Sequence, residues 1–431
     1  MNLALFVFFL IFILMFLLRM PIPLGMISAC TFYFLINGTN VKMVAQQTLG
    51  MLFSNYTIIA VPLFIFAANV MNSGKITEMI FGFSEGIVGR FRGGLGHVNV
   101  LASLIFSGMT GSAIADAAGL GKMEIEAMRQ EGYDDGFSCA ITAASATIGP
   151  IFPPSIPMVI YAMLSGASIG ALFMGGMVPG VLLAIALMVY IAIIAKKRNY
   201  PRSAVFVLRD YLIYCVRAIP AILTPAILLI GIYTGIMTPT EAGAVAGFYA
   251  MLIAIFAYRV LSWDAFKQVL VDTVQSTGTT SLMVGSATAI SYIVAREQIA
   301  VRLGDFILSL TSNPYVFLII VNVALLVLGM FIDTSVIQVV FIPIMLPLVN
   351  QLGIDLVHFG VVVVFNMMIG LSTPPFGMLL FITSGISGTP LKYVVKEILP
   401  MIVVMLIVLI VITYIPNTIL FLPRMLLGYT G

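Results

Sequence analysis

Residues 3–18 are apolar without exception, and residues 398–415 contain no charged side chain. Blocks of this length match the roughly 17–25 residues that carry a helix across a hydrocarbon core. In lipid, backbone N–H and C=O groups must pair within the protein, which leaves helices and closed barrels as the only spanning structures. A barrel demands short segments of alternating apolar and polar side chains, and that alternation is absent. Of the 431 residues, 61% are hydrophobic and 9% charged, against about 45–50% and 25% in a soluble domain, so the apolar blocks exceed what one globular core would hold. The expected class is an all-α polytopic membrane protein lodged in a lipid bilayer.

A formal net charge of +3 gives no nucleic-acid footprint and no polybasic membrane patch. Cys30, Cys139 and Cys215 are scattered, without a C-x-x-C spacing, and read as inert thiols. His97 and His358 are too few for a His-rich metal site. No basic stretch precedes the first apolar block, and Arg19 stands where a signal-peptide cleavage site needs small residues, so the first span is expected to stay attached.

Hydropathy places crossings near residues 3–18, 21–37, 55–72, 138–164, 172–195, 218–237, 240–257, 272–294, 357–384 and 398–421. Two further apolar stretches, 95–131 and 313–350, are interrupted by small and polar residues at their middles and read as re-entrant hairpins. The densest basic segment, Lys196, Lys197, Arg198, Arg202, Arg209 and Arg217, belongs in the cytoplasm by the positive-inside rule. Counting from it puts 16 of the 20 Lys and Arg inside and leaves Lys42, Arg296, Arg302 and Arg424 outside, with both termini periplasmic.

The chain also repeats itself. Its two Pro-Pro pairs, Pro153-Pro154 and Pro374-Pro375, are 221 residues apart, and the same offset relates Gly108 to Gly329, Gly132 to Gly353, Asp134 to Asp355, Gly149 to Gly370 and Pro179 to Pro400. Residues 1–200 form the first unit and 218–431 the second, with 201–217 as a cytoplasmic amphipathic linker. Each unit holds five crossings, and an odd number makes the second copy enter from the opposite side. Inverted repeats with hairpins and broken helices meeting near the midplane are a plan of secondary transporters.

The chemistry is expected where the repeats break. Residues 148–155 (IGPIFPPS) and 369–376 (IGLSTPPF) lie inside otherwise continuous apolar spans. Paired prolines remove N–H donors and block the preceding turn. The freed carbonyls suit a cation, and the new helix N-terminus suits an anion. The hairpin middles face these breaks: Ser107, Thr110, Ser112 and Asp116 in the first, Gly329, Asp333, Thr334 and Ser335 in the second. Ser155 follows the first Pro-Pro pair. Glycines let backbone carbonyls approach an ion, and hydroxyls add neutral oxygen ligands. Asp116 and Asp333 are ionisable groups near the tips, expected to order the tip or tune a cation site by capping; Glu241, Asp134, Asp135 and Asp355 read as turn and N-cap residues. No Lys or Arg falls within the core of a crossing, so a negative substrate must be met by dipoles, hydroxyls and bound cations. The stretch ending Gly119-Leu-Gly-Lys122 is no Walker A motif, because Asp116 occupies the first glycine position and Met123 follows the lysine.

The run from Ser107 to Asp116, with residues 128–134 (MRQEGYD), 149–157 (GPIFPPSIP), 176–180 (GMVPG) and 370–375 (GLSTPP), resembles the large membrane subunit of tripartite ATP-independent periplasmic (TRAP) transporters over essentially the whole chain. The resemblance implies an elevator-type carrier of the bacterial inner membrane, coupled to Na⁺. It also implies a small four-helix membrane partner and a periplasmic binding protein that delivers an organic anion such as a C4-dicarboxylate or sialic acid. By the same resemblance, one Na⁺ site would use Thr110, Ser112, Gly149, Phe152 and Pro154, and its repeat-related counterpart Gly329, Gly370, Thr373 and Phe376, largely through carbonyls. A membrane enzyme would want a buried catalytic constellation, an ATP-driven permease subunit a cytoplasmic coupling helix, and neither is evident; a passive channel has no need of two inverted hairpins.

Overall fold

The computed structural model describes residues 3–18, 20–54, 56–72, 74–202, 208–299, 301–302, 311 and 313–431. Arg19 and residues 203–207 of the linker lie outside the described residues. Among the described residues all regular structure is helical, apart from one antiparallel bridge between Arg92 and Arg202. Among the described residues six helices are long and apolar enough to cross a membrane: Ile169–Arg198, Tyr211–Tyr233, Pro239–Ala257, Trp263–Arg296, Thr334–Gln351 and Leu391–Tyr414.

Both expected hairpins and both broken helices form. The first hairpin has the arms Gly94–Thr110 and Ala113–Gly119, the latter continued by Gly121–Gln130; the second has the arms Pro314–Gly329 and Thr334–Gln351. The first broken helix comprises Asp135–Ala146 and Ile156–Ser165, the second Leu356–Leu371 and Met378–Ser387. Each is followed by a long span, Ile169–Arg198 and Leu391–Tyr414.

Side-chain contacts fix the relative direction of the two halves. Near the start of the first broken helix, the Cys139 sulfur lies 3.1 Å from the Ser387 hydroxyl at the end of the second. At the opposite end, the Tyr161 hydroxyl donates to the carbonyl of Leu356, the first residue of the second broken helix, at 2.7 Å. Two equivalent helices whose starts meet each other's ends run antiparallel. The long spans repeat the relation, since Arg198, the last residue of one, pairs at 2.8 Å with Glu397 near the start of the other. This is the inversion expected from the odd count of crossings.

Three segments depart from the hydropathy reading. The crossing expected at 55–72 holds a short 3-10 turn, Tyr56–Ile59, and the helix Ala60–Met71, and a further helix, Lys42–Ser54, precedes it; Gln46, Gln47 and Thr48 dilute that helix, so hydropathy alone passes over it. The last crossing starts at Leu391 and ends at Tyr414 instead of running to 421. A proline cannot donate the N–H that would continue the helix, and after Pro416 a separate helix spans Asn417–Leu427. Residues 208–217, part of the stretch read as a cytoplasmic amphipathic linker, are continuous with the crossing that ends at Tyr233.

The helix termini follow their local chemistry. Thr238 and Glu241 form a reciprocal capping box, with the Glu241 carboxylate accepting the Thr238 N–H at 2.7 Å, as expected for Glu241. Asp355 accepts the N–H groups of Val357 and His358 at 2.8 and 2.9 Å. Asp134 occupies the N-cap position but makes no cap bond. Its carboxylate instead accepts from Tyr200 at 2.5 Å and Arg198 at 3.0 Å, because the basic end of the long span arrives beside it. Burial, followed by the Asp134 hydrogen bond, pushes the Tyr200 hydroxyl above the ordinary phenol range.

Candidate functional site: two hairpin tips on two helix breaks

The first tip turns at Gly111, whose φ of +58° is left-handed and whose N–H returns to the Ser107 carbonyl at 3.2 Å. Glycine is required twice over. Its backbone angle disfavours a Cβ, and a Cβ there would lie 3.3 Å from the Ser155 Cα and closer still to the Pro154 carbonyl oxygen. Opposite, a Cβ on Gly149 would sit 3.4 Å from the carbonyl carbon of Ser112 and 3.5 Å from the N of Ala113. The tip backbone is thus seated directly on the break, which brings Ser112 to Gly149 and Gly111 to Pro154.

Within the break, the Ile148 and Gly149 N–H groups donate to Ser145 and Ala146 at 2.9 and 3.1 Å, and Phe152 donates to Ile148 at 2.9 Å. The Ser155 hydroxyl donates to the Pro150 carbonyl and accepts the Met158 N–H at 3.2 Å, opening the second half-helix. The carbonyls of Gly149, Phe152 and Pro154 accept no hydrogen bond from a described residue. Unpaired carbonyls in a membrane interior carry a cost that a cation can remove. Gly176 and Gly180 of the neighbouring span explain the GMVPG run: a Cβ on Gly176 would meet the Ile151 carbonyl, with the Met158 methyl at 2.7 Å, and one on Gly180 would lie 3.2 Å from the Phe152 Cβ.

The second tip repeats the contact more tightly. A Cβ on Gly370 would lie 2.7 Å from the Gly329 Cα, and one on Gly329 3.1 Å from the Gly370 Cα. The Thr373 hydroxyl donates to the Ile369 carbonyl at 2.6 Å, leaving its lone pairs free. Phe376 is exposed and meets Phe331 at 5.8 Å between ring centroids. The two rings flank a cavity of about 330 Å³ floored by Gly329 and Asp333, with no lysine or arginine in its lining.

The structure also separates hydroxyls that are free from those already used. Ser107 donates to the Leu104 carbonyl at 2.6 Å, and Ser155 is committed to Pro150. Thr110 and Thr334, one at each tip, are buried with hydroxyl oxygens that have no hydrogen-bond partner among the described residues. The aspartates divide likewise. Asp333 is a plain N-cap, accepting the Ser335 N–H at 2.9 Å. Asp116 caps nothing, because Ser112 takes that role toward the Ala115 N–H at 3.4 Å. Phe152 shares the break with its expected partners, but its side chain packs on Gly180.

Sequence reasoning passed over a buried polar layer below the tips. Asn99 donates to Thr142 at 2.7 Å, Ser145 to Asn99 at 2.6 Å and Ser103 to Ser145 at 3.1 Å, joining the hairpin arm to the first broken helix. Asn366, at the repeat position of Ser145, donates to Asn322 at 2.7 Å. Glu124 and Gln338 are buried without side-chain hydrogen-bond partners among the described residues. The signal for Glu124 was available: eight residues after Asp116 is the same helix face. Among the described residues no group of three or more His, Cys, Asp or Glu side chains is placed to hold a metal.

Comparison with known proteins places this geometry. Residues 9–418 match the family described as the tripartite ATP-independent periplasmic transporter, DctM component. The sialic acid TRAP transporter large permease protein SiaM of Vibrio cholerae is 43% identical over 411 residues, covering 95% of this chain and 96% of that one. The C4-dicarboxylate TRAP transporter large permease protein DctM of Pseudomonas aeruginosa is 37% identical over 372 residues, covering 86% and 87%. The crystal structure of the YdaH transporter of Alcanivorax borkumensis superposes with a TM-score of 0.64 at 14% identity, covering 87% of this chain and 88% of that one. That likeness speaks to the fold alone.

Proposed function

Since this chain belongs to the DctM component family of TRAP transporters, a family of multi-pass membrane permeases and not of enzymes, we propose that it is the transport subunit of a Na⁺-coupled importer of a small organic anion. The anion is of the sialic acid or C4-dicarboxylate class, by analogy with relatives named for those substrates. A periplasmic binding protein delivers it, and a small membrane subunit completes the complex in the bacterial inner membrane, with both termini periplasmic. The hairpins and broken helices move as a transport domain against the remaining spans, in the manner of an elevator.

One observation carries the reading: each hairpin tip is seated on a proline-broken helix, at Gly111 on Pro154 and at Gly329 on Gly370. At the first junction the Gly149, Phe152 and Pro154 carbonyls have no donor among the described residues, at the second the Gly370 carbonyl accepts the Thr373 N–H at 3.0 Å, and each break opens a fresh helix N-terminus. Thr110, Ser112, Gly149, Phe152 and Pro154 would hold one Na⁺, and Gly329, Gly370, Thr373 and Phe376 the other. With no basic side chain in the second cavity, the bound cations and helix ends supply the positive potential that a carboxylate substrate needs.

The test is uptake into proteoliposomes containing this chain and its small partner, supplied with the loaded binding protein. Accumulation should require an inward Na⁺ gradient and ignore ATP. Flux that persists without the gradient, or that depends on ATP, refutes the proposal. Labelling of cysteines placed at 110 and 334 should change from one side of the membrane to the other during turnover; access from a single unchanging side would refute the elevator.

A further inference from the structure

A second polar feature lies deeper in the first hairpin than the proposed Na⁺ site. Asp116 and Glu124 are each 1% exposed; among the described residues neither Glu124 oxygen has a hydrogen-bond partner, and the Asp116 carboxylate has only the Ser103 hydroxyl within reach, which itself donates to Ser145. They share one helical run. The arm continues through Leu120, whose N–H donates to the Asp116 carbonyl at 3.0 Å, and the Glu124 N–H donates to the Leu120 carbonyl at 3.0 Å. Eight residues separate them, about two turns and roughly 12 Å of helix rise, on one side of the arm.

Among the described residues no cation offsets them. The arm Gly94–Thr110 brings His97, which packs against Phe91, and the half-helix Asp135–Ala146 brings Asp135 and Cys139. Met378–Ser387 brings no titratable side chain. Gly74–Val88, whose Ile76 and Ile80 pack with Leu120, carries Lys75, Glu78 and Glu85, and Lys75 is exposed and donates to the Tyr258 carbonyl at 2.8 Å. On the helix itself, Lys122 and Arg129 lie on the exposed face, and Arg129 pairs with Asp135 at 2.7 Å.

Two buried anions without a cation partner are strongly disfavoured in a membrane protein interior, so one carboxyl must be neutral. Asp116 stands in the first turn after the Ser112 cap, where unsatisfied N–H groups and the helix dipole favour an anion. Glu124 lies beyond that help, its own N–H already bonded. In the inverted half, the corresponding arm, Thr334–Gln351, has no acid, and a neutral side chain, the buried Gln338, follows its cap by five residues. We propose that Glu124 is a proton-binding site of the first hairpin: the hairpin packs against the first broken helix with Glu124 as a neutral acid, and transport requires that proton to be in place.

Infrared spectroscopy of the purified complex tests the proton itself. Wild type should show the C=O stretch of a protonated carboxylic acid at neutral pH, and Glu124→Gln should lack it. This arm stands independently of the carrier reading. The second arm rests on that reading and measures uptake at a fixed Na⁺ gradient from mildly acidic to mildly alkaline pH. A group that works neutral loses its contribution as pH rises through its release point, so wild-type uptake should fall by about tenfold per pH unit beyond it. Glu124→Gln is neutral at every pH, and its alkaline limb should be flat. Absence of the band in wild type overturns the proposal whether or not the variant folds, as does retention of the band in Glu124→Gln or an alkaline limb shared by both proteins. Loss of Na⁺-driven uptake at every pH with the infrared difference intact would count against the carrier reading and leave the proton site standing.

Discussion

Gly370→Ala is the sharpest test of the tip-on-break geometry. The added Cβ would stand 2.7 Å from the Gly329 Cα, 2.9 Å from its carbonyl carbon and 3.1 Å from its oxygen. All three are backbone atoms, so no rotamer change can relieve the clash. Carbon atoms rest at about 3.5–4.0 Å, so the second tip must retreat by about 1 Å. Overpacking of this kind costs ~1–3 kcal/mol. A hard cation held by oxygens at roughly 2.3–2.6 Å cannot keep ligands on both sides of a gap widened by that amount. Where the cost falls on the cation-bound state, it corresponds to a roughly 5- to 150-fold rise in the Na⁺ needed for half-maximal uptake. The assay is Na⁺ titration of uptake in proteoliposomes, with thermal unfolding in detergent to check folding. Gly385→Ala is the control, since a Cβ there meets nothing within 4 Å, and it should leave the Na⁺ requirement alone. Equal Na⁺ requirements in the two variants would refute the reasoning.

Gly176→Ala should also impair uptake, because its Cβ lands on the Ile151 carbonyl and the Met158 methyl of the first break; uptake at saturating Na⁺ reads the loss. Asp333→Ala should cost ~1 kcal/mol of stability as a lost N-cap, seen as a lower unfolding temperature. Asp116→Asn should reduce transport more than Asp135→Ala, which removes only a half-exposed ion pair with Arg129 worth about 0–1 kcal/mol; parallel uptake assays compare them. Tyr200→Phe should cost ~1 kcal/mol by removing the bond to Asp134, measured by thermal unfolding.

Gly and Pro made most of the fold legible. Both prolines of each pair, and Gly149, Gly329 and Gly370, stand where backbone approaches backbone or where a helix stops, and Gly108 stands where the Pro225 ring leaves no room for a side chain; these demands are local enough to survive in sequence. Hydropathy did well where a span is uniformly apolar and poorly where a helix continues through polar residues, as in Lys42–Ser54. Side-chain destinations were the least legible. Asp134 and Asp355 occupy matching repeat positions, yet one caps its helix and the other is drawn to Arg198 and Tyr200. The difference arises from a long span 64 residues away in sequence. Glu124 was missed because an acid flanked by Lys122 and Glu126 reads as part of a solvated face, and only the packed structure shows which side turns inward.

Two copies of one unit would, in a symmetric arrangement, bury their tips equally. Here they do not. Residues of the first tip are buried from Ser107 to Gly111, and a Cβ on Gly108 would lie 2.9 Å from Pro225 of the helix Leu208–Tyr233. At the second tip Phe331 and Phe376 are exposed beside an open cavity. In the proposed elevator, the inversion of the halves would give this structure a counterpart in which the second tip is buried and the first exposed. The local contacts of the two tips are alike, glycine on backbone in both, so neither exchange partner is excluded by packing at the tip. Sequence asymmetry, with Thr110 and Asp116 in one half and aromatic rings in the other, then sets which state predominates. In the proposed carrier, bound Na⁺ and substrate tip that balance, and alternating exposure follows from inversion without any new contact being invented.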